Sequence, residues 1–346
     1  MGVILKVGII NVTGYAGSEL ARILFKHPEV EIASVTGRRA AGKKVSEVLP
    51  HLSQMDIPIT ATIEESVDFV FSTLPSGASA EILRPFIVSG VPSVDIAADF
   101  RIHDPDKFKN AYKLDHPTPE LLKNAVYGLP EIHRDQIKKT SLVANPGCFP
   151  EASLLALAPA VKSGLVLSDL IIDAKTGISG AGRGGLATSS IDHFAEADEN
   201  VLAYGLTGHG HQPEILQELT ELAGNQLLKV TFVPHRIPMS RGIMATCYAT
   251  LSDQSVTNED MIEIYRSFYQ NEPFVKVTDF APQTKYTTGS NMCLVFPVVD
   301  RENARLIVVS CLDNLVKGAA GQAVQNMNLM SGLPETEGLG QLPLYP

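Results

Sequence analysis

Cys148 stands in Asn145-Pro146-Gly147-Cys148-Phe149-Pro150, and its surroundings are those of a nucleophile. The preceding Ser141-Leu142-Val143-Ala144 is a short apolar run suited to a buried strand, and Ala152, Leu154, Leu155, Leu157 and Ala158 begin an amphipathic helical pattern. Pro146 and Gly147 turn the chain sharply, and Pro150 suits a first helical turn, where a missing N–H costs little. A cysteine on such a strand-to-helix elbow has helix N–H groups aimed at it, and that end of the dipole favours the thiolate. Cys247, Cys293 and Cys311 lie in strand-like apolar runs and read as inert core residues. His209-Gly210-His211 offers two imidazoles with no third ligand at metal spacing nearby, so it reads as a proton shuttle for the thiolate rather than a metal pair. His235 is a weaker candidate for that role. The loop Gly177–Gly185 carries Ser179, Gly180, Ala181, Gly182 and Arg183, whose main chain and guanidinium could cradle a phosphate.

The elements that must position these groups start at the N-terminus. Leu5–Ile10 reads as a buried strand, followed by a turn and a helix whose Leu20, Ile23 and Leu24 share a face. The turn residues Thr13-Gly14-Tyr15-Ala16-Gly17 complete the spacing Gly8-x-x-Asn11-x-x-Gly14-x-x-Gly17, a looser form of the dinucleotide fingerprint that seats a pyrophosphate on a helix N-terminus. Asn11 can stand in for a glycine because asparagine tolerates the left-handed conformation. The next strand, Val30–Thr36, ends in Gly37-Arg38-Arg39 instead of the acidic residue that holds a ribose 2′-hydroxyl. Arg38 and Arg39 fit a 2′-phosphate, so the expected cofactor is NADP. Strands at Val67–Ser72 and Val91–Asp95 follow, and their carboxyl ends face the ligand crevice. Ser72, Ser76 and Gly77 are therefore cofactor-loop candidates. Arg101 could reach an anionic substrate, or it could instead pair with Asp99 or Asp104. The strand at 141–145 is expected to close this domain onto the elbow.

Beyond Ala152, strand-like runs at Leu170–Lys175, Leu227–Val233, Ile243–Leu251, Met292–Val299 and Leu306–Leu312 are separated by turns and loops rather than regular helices, which predicts a mostly antiparallel sheet. Asp313 and Asn314 are good caps for a last helix with Leu315, Val316, Ala319, Ala320, Ala323, Val324 and Met327 on one face. The fold class is α/β: an N-terminal Rossmann-type parallel sheet plus an α+β, mostly antiparallel, catalytic and dimerisation domain. The expected division is 1–147 for the dinucleotide and 148–313 for substrate. A Rossmann half, an elbow thiol, a histidine and an anion loop describe one chemistry. The thiolate attacks an activated acyl group, for which an acyl phosphate is the natural electrophile, and NADPH reduces the thioester.

Composition bounds this reading. At 346 residues and 45% hydrophobic content the chain is long enough for two cored domains. A net charge of −10 speaks against nucleic acid or an anionic membrane as partner. Four scattered cysteines without CxxC spacing fit a reducing compartment. No apolar run is long enough to span a bilayer, and Met1-Gly2-Val3-Ile4-Leu5-Lys6 lacks signal-peptide and myristoylation features, so a soluble cytoplasmic protein without a metal is expected.

Several segments together resemble the N-acetyl-γ-glutamyl-phosphate reductases, relatives of aspartate-semialdehyde dehydrogenase, over essentially the whole length. They are Gly14-Tyr15-Ala16-Gly17-Ser18-Glu19-Leu20, Asp95 to Arg101, Tyr127-Gly128-Leu129-Pro130-Glu131, Asn145 to Pro150, Ser179 to Arg183, Gly208 to His211 with Pro213-Glu214-Ile215, Gly289-Ser290-Asn291 and Asp313 to Gly318. The resemblance implies a catalytic Cys148, a catalytic histidine at His209 with His211 beside it, Asn314 near the nicotinamide, and Asn145 and Glu214 among the substrate residues. It also implies that the C-terminal helix 314–331 packs on and completes the Rossmann domain, and a homodimer or homotetramer acting on a small acyl phosphate in arginine biosynthesis. Three positions depart from the family pattern. Glu151 stands where Thr is usual, Gly210 replaces an Arg, and Asn11 replaces a Gly. A carboxylate at 151 opposes a neighbouring thiolate, so Cys148 is expected to be less acidic than in relatives. A lysine-pathway reductase of aminoadipyl phosphate is the nearest rival, and Pro146 speaks against it. A silent NADPH-binding sensor is the other, and the intact Cys148 and histidines speak against that.

Overall fold

The computed structural model describes residues 4–184, 193–224 and 226–346. The readings placed on Met1-Gly2-Val3 and on Gly185 fall outside the described residues. The chain divides into one unit of Met1–Gly147, Gly182–Gly184 and Ala319–Gly340, and a second of Cys148–Ala181, Gly185–Gly318 and Gln341–Pro346.

The first unit is built on β1 (Leu5–Ile10), β2 (Val30–Thr36), β3 (Ile59–Thr60), β4 (Phe69–Ser72), β5 (Ser93–Asp95), β6 (Val126–Tyr127) and β7 (Leu142–Ala144). They form one sheet in the order β3-β2-β1-β4-β5-β7-β6, with every neighbouring pair parallel. Apolar runs such as Phe69-Val70-Phe71, fully buried, are what a parallel sheet covered on both faces demands. As the sequence indicated, the strand at 141–145 is the last of this sheet in chain order and leads to the elbow. The two-residue β6, supplied by Tyr127 of the Tyr-Gly-Leu-Pro-Glu segment, lies outside β7, and β3 edges the other side. Both are too short to show a period in sequence.

The C-terminal helix of this unit, Gly321–Met330, is buried all round rather than on one face. Its polar side chains are consumed inside the unit. Gln322 Nε2 and Asn326 Nδ2 donate to the Gly128 carbonyl at 2.9 Å each, and Asn326 Nδ2 also reaches Asn145 Oδ1 at 3.1 Å. A Cβ on Gly128 would sit 2.5 Å from Asn326 Nδ2 and 2.6 Å from Val143 Cγ1, so only glycine lets this helix seat. The helix does not start at Asn314. A π-turn, Val316–Ala320, precedes it.

The second unit has β8 (Val166–Thr176), β9 (Leu202–Ala203), β10 (Lys229–Arg236), β11 (Ile243–Leu251), β12 (Val275–Val277), β13 (Cys293–Asp300) and β14 (Arg305–Leu312), in the order β12-β13-β14-β11-β8-β10-β9. Of its six neighbouring pairs, β10–β8 and β12–β13 are parallel and the others antiparallel. The strands alternate buried and half-buried residues, as in β11, so one face is cored. Contrary to the sequence expectation, regular helices also lie between these strands: His211–Leu222 and Asn258–Tyr269. The apolar stripe of the last one, Met261, Tyr265 and Tyr269, is carried by tyrosines, which also suit strands.

Helix Cys148–Lys162 is the spine of this unit, buried from Phe149 to Val161. Pro159 inside it has no N–H, which leaves the Leu155 carbonyl four residues earlier without its helical donor. The Tyr269 hydroxyl donates to that carbonyl at 2.6 Å, and Tyr265 does the same to Ala156. Ser310 Oγ on β14 donates to the Ala152 carbonyl. Among the described residues no helix is long and apolar enough to cross a membrane.

Candidate active site

In the first unit the strand order reverses direction between β1 and β4, the place where such sheets open a crevice at their carboxyl ends. Asn11, just past β1, takes the left-handed conformation at φ 69°. Its Nδ2 donates to the Thr73 carbonyl at 2.9 Å, and Thr73 Oγ1 donates back to the carbonyls of Ile10 and Asn11. This staple fixes the turn from which helix Tyr15–Leu24 starts, with Gly14 as its N-cap and no acidic residue in its first turn. A Cβ on Gly17 would overlap the Asn11 carbonyl. Thr13, Gly14, Tyr15, Ala16 and Gly17 thus form a bare, positively polarised helix start. Arg38 and Arg39 follow β2, exposed and, among the described residues, without an ion-pair partner. Ser76 is exposed in the loop after β4, whereas Ser72 is sealed and accepts from Ser79 Oγ at 2.6 Å. Thr73, not singled out from sequence, holds the turn instead.

Arg101 and Asn145 are braced to each other in this unit. Arg101 Nε donates to the Asn145 carbonyl at 2.8 Å and its Nη2 to Ile96 at 2.7 Å. Asn145 Nδ2 donates to the Ala319 carbonyl at 3.1 Å. These bonds tie the loops after β5 and β7 together. Arg183 also belongs to this unit, where its Nη1 donates to the Thr13 carbonyl at 3.3 Å. Gly182, next to it, takes the left-handed conformation at φ 72°. Asp95 is fully buried below this end, and burial together with the Asp99 carboxylate pushes it up to about 7.

The second unit gathers the reactive groups at one end of its sheet. Cys148 is the first residue of its helix and half-buried, while Cys247, Cys293 and Cys311 are sealed. Burial drives the Cys247 thiol far up and the Cys311 thiol to about 12, which makes both inert. Phe149, next to Cys148, stands edge-on to His209 and His211, at 6.2 and 6.0 Å between ring centroids. Tyr204 and Phe232 complete an aromatic box around His209. The His211 backbone N–H donates to His209 Nδ1 at 3.1 Å, which assigns the ring proton of neutral His209 to Nε2. Burial, with a smaller push from the Arg236 cation, lowers His209 to about 4. His211 opens helix His211–Leu222 and stays half-buried, with Glu214 sealed in the same helix's first turn. His235 is drawn off by Asp173, 3.1 Å away.

Loops from several strands meet at this end. Asn314 Nδ2 donates to Ser179 Oγ at 2.9 Å, and its Oδ1 accepts from the Gly242 N–H at 2.7 Å. Asp313 Oδ2 accepts from the Gly289 N–H at 2.7 Å and lies 3.5 Å from Arg241. Its Oδ1 accepts from Leu315 and Val316, a cap on the π-turn. Asn314 therefore ties the Ser179-Gly180-Ala181 loop in place within this unit. Gly318 presses on the nucleophile: a Cβ there would lie 2.9 Å from Cys148 Cβ. Arg241 and Lys317 were not singled out from sequence. Each is a lone cation in a run of apolar and small residues, Pro238-Met239-Ser240-Arg241-Gly242 and Leu315-Val316-Lys317-Gly318, and that contrast was the available signal.

Residues 6–140 match the family described as semialdehyde dehydrogenase, NAD binding domain, and residues 148–314 the semialdehyde dehydrogenase dimerisation domain. The chain is 55% identical over 342 residues, 99% of both chains, to an N-acetyl-γ-glutamyl-phosphate reductase of Dehalococcoides mccartyi. It is 47% identical, over 99% of both chains, to one of Pelotomaculum thermopropionicum. Among solved structures it resembles aspartate semialdehyde dehydrogenase II of Vibrio cholerae complexed with ASA, with TM-score 0.74 and 17% identity over 96% of this chain and 99% of that one. The NADP complex of the Candida albicans aspartate semialdehyde dehydrogenase gives 0.69 and 19%, over 95% and 98%. At these identities the two structures speak for the fold. With the two sequence matches, this chain belongs to the N-acetyl-γ-glutamyl-phosphate reductase family of the semialdehyde dehydrogenases.

Proposed function

We propose that this protein reduces N-acetyl-γ-glutamyl phosphate to N-acetylglutamate semialdehyde, with release of phosphate, through a thioester on Cys148. The observation that carries the reading is the half-exposed cysteine at a helix start, one residue from the aromatic that packs on both histidines. The thiolate attacks the γ-carbonyl carbon, the bond from that carbon to the phosphate oxygen breaks, and phosphate leaves. Bound NADPH supplies the hydride that brings the thioester to the aldehyde oxidation level. The carbonyl oxygen takes up a proton in that step and returns it when the carbon–sulfur bond breaks and the thiolate is restored. His209, neutral and with its proton on Nε2, is a fixed hydrogen-bond donor for an oxygen gaining charge, and His211 beside it is assigned the proton transfer.

The cofactor fit rests on the first unit: the side-chain-free start at Gly14 and Gly17 suits a pyrophosphate, and Arg38 and Arg39 suit a 2′-phosphate. The two units divide the labour as dinucleotide and substrate domains, and the match to a dimerisation domain supports a homo-oligomer.

The test is direct. With substrate and no NADPH, mass spectrometry should find one N-acetylglutamyl group on the Cys148 peptide. Cys148→Ser should abolish turnover while NADPH binding holds. Substantial turnover in that variant, or an adduct on another cysteine, would falsify the thioester route.

A further inference from the structure

Glu151 and Lys317 are both sealed from solvent, 0% exposed in their side chains, and Oε1 and Nζ lie 3.5 Å apart. Both flank Cys148. Glu151 is three residues on in the same helix, on the same face, about 5–6 Å away between Cβ atoms. Lys317 precedes Gly318, whose absent Cβ would lie 2.9 Å from Cys148 Cβ. The π-turn Val316–Ala320 thus brings an ammonium group to the one buried carboxylate in the first turn of the nucleophile's helix. Phe274 supports that ammonium from 5.7 Å.

We propose that Lys317 is the counter-charge that lets Glu151 sit beside Cys148, and that the pair sets the acidity of the thiol. This deepens the reading of Cys148 as nucleophile and rests on it for its functional meaning. A lone carboxylate one turn from the sulfur would repel the thiolate, and a lone ammonium would attract it. Paired, the two fields largely cancel at the sulfur, which leaves the helix start as the main electrostatic influence. The expectation that Glu151 makes this cysteine less acidic than in relatives is thereby removed by a partner from elsewhere in the chain. Lys317 and Glu151 are positioning residues in this account.

The readout is the pH midpoint of Cys148 alkylation by iodoacetamide, with labelling assigned by peptide mass spectrometry because the other three cysteines are sealed. The midpoint is preferred to a single rate because nucleophilicity falls as a thiol becomes more acidic. Lys317→Met should raise the midpoint and Glu151→Gln should lower it, each changing the thiolate fraction at fixed pH by about 3- to 10-fold. The double variant Glu151→Leu/Lys317→Met should return close to wild type and keep the fold, since apolar residues often replace a buried ion pair without loss. Among the described residues, His209 and His211 on Phe149, Glu214, Arg236 and the Arg241–Asp313 pair are further titratable or charged groups at this end, and they are the same in every arm.

Opposite displacements with return in the double variant uphold the proposal, because a purely structural pair would not give shifts of opposite sign. Displacements in the same direction, or none, overturn it. If Lys317→Met does not fold, Glu151→Gln alone decides, and an unchanged or raised midpoint overturns the proposal. Alkylation needs only the thiol, so a missing acyl adduct in wild type would sink the thioester reading without touching this result.

Discussion

His209 shows how one backbone contact can set a residue's chemistry. Its Nδ1 is taken by the His211 N–H, and its ring is enclosed by Phe149, Tyr204 and Phe232. An imidazolium there would lose that hydrogen bond and its hydration together. The folded state therefore binds fewer protons than the unfolded chain between about 4 and 6.5. Stability from this group is fully present above 6.5 and is lost as pH falls toward 4. His209→Phe should remove that part of the acid sensitivity, visible as a smaller drop in Tm between pH 7 and pH 5. Its kcat should fall about 10²–10³-fold with the pH profile unchanged in shape, as for a lost oxyanion donor. His211→Asn should lower kcat about 10²–10⁴-fold, as for a lost proton-transfer group. A larger loss in His209→Phe than in His211→Asn would exchange their roles. The arginines after β2 make an equally local claim. With charge-assisted bonds worth roughly 1.5–3 kcal/mol, Arg38→Ser/Arg39→Ser should weaken NADPH at least about tenfold in titration calorimetry and leave NADH unaffected. Equal weakening of both would refute the 2′-phosphate assignment.

At the scale of elements, β1 and β2 were readable to the residue, because β1 ends in the buried run Val7-Gly8-Ile9-Ile10 and β2 is rich in the β-branched residues Val30, Ile32, Val35 and Thr36. The elbow at Cys148 was readable from Pro146, Gly147 and Pro150. What escaped was non-local. Nothing near Asn145 says that its side chain will bond to Ala319 or that its carbonyl will take Arg101, and nothing near Glu151 names Lys317. Helix Asn258–Tyr269 was also missed, and its tyrosines have a task no local pattern reveals. Tyr269 repairs the hydrogen bond that Pro159 removes from the spine helix. Tyr269→Phe keeps the ring but leaves the Leu155 carbonyl buried without that donor, a loss of about 1–3 kcal/mol. Urea unfolding should show a lower midpoint with an unchanged slope, since the surface exposed on unfolding is the same. An unaltered midpoint would mean the carbonyl finds another donor.

At the scale of the molecule, the first unit is discontinuous in sequence: residues Met1–Gly147 are joined by Ala319–Gly340 from the far end of the chain. The returning segment is not a decoration on a finished sheet. It fills the unit with fully buried Ala323, Val324 and Met327, and it satisfies polar groups that would otherwise be sealed and unpaired. Gln322 and Asn326 serve the Gly128 carbonyl, Asn328 Oδ1 meets His27 at 3.0 Å, and Glu335 pairs with Arg134. Removing it exposes apolar core and orphans several hydrogen-bonding groups at once, each costing about 1–3 kcal/mol against a total stability of about 5–15 kcal/mol. A fragment of residues 1–147 should therefore lack cooperative thermal unfolding and bind no NADPH. Because Asn145 already bonds to Ala319, a short Gly/Ser linker can join residue 147 to residue 319. A chain of residues 1–147, that linker and residues 319–340 should regain a sharp melting transition and NADPH binding. Cooperative unfolding of the bare 1–147 fragment, with NADPH affinity equal to that of the linked chain, would show that the sheet needs no returning helix.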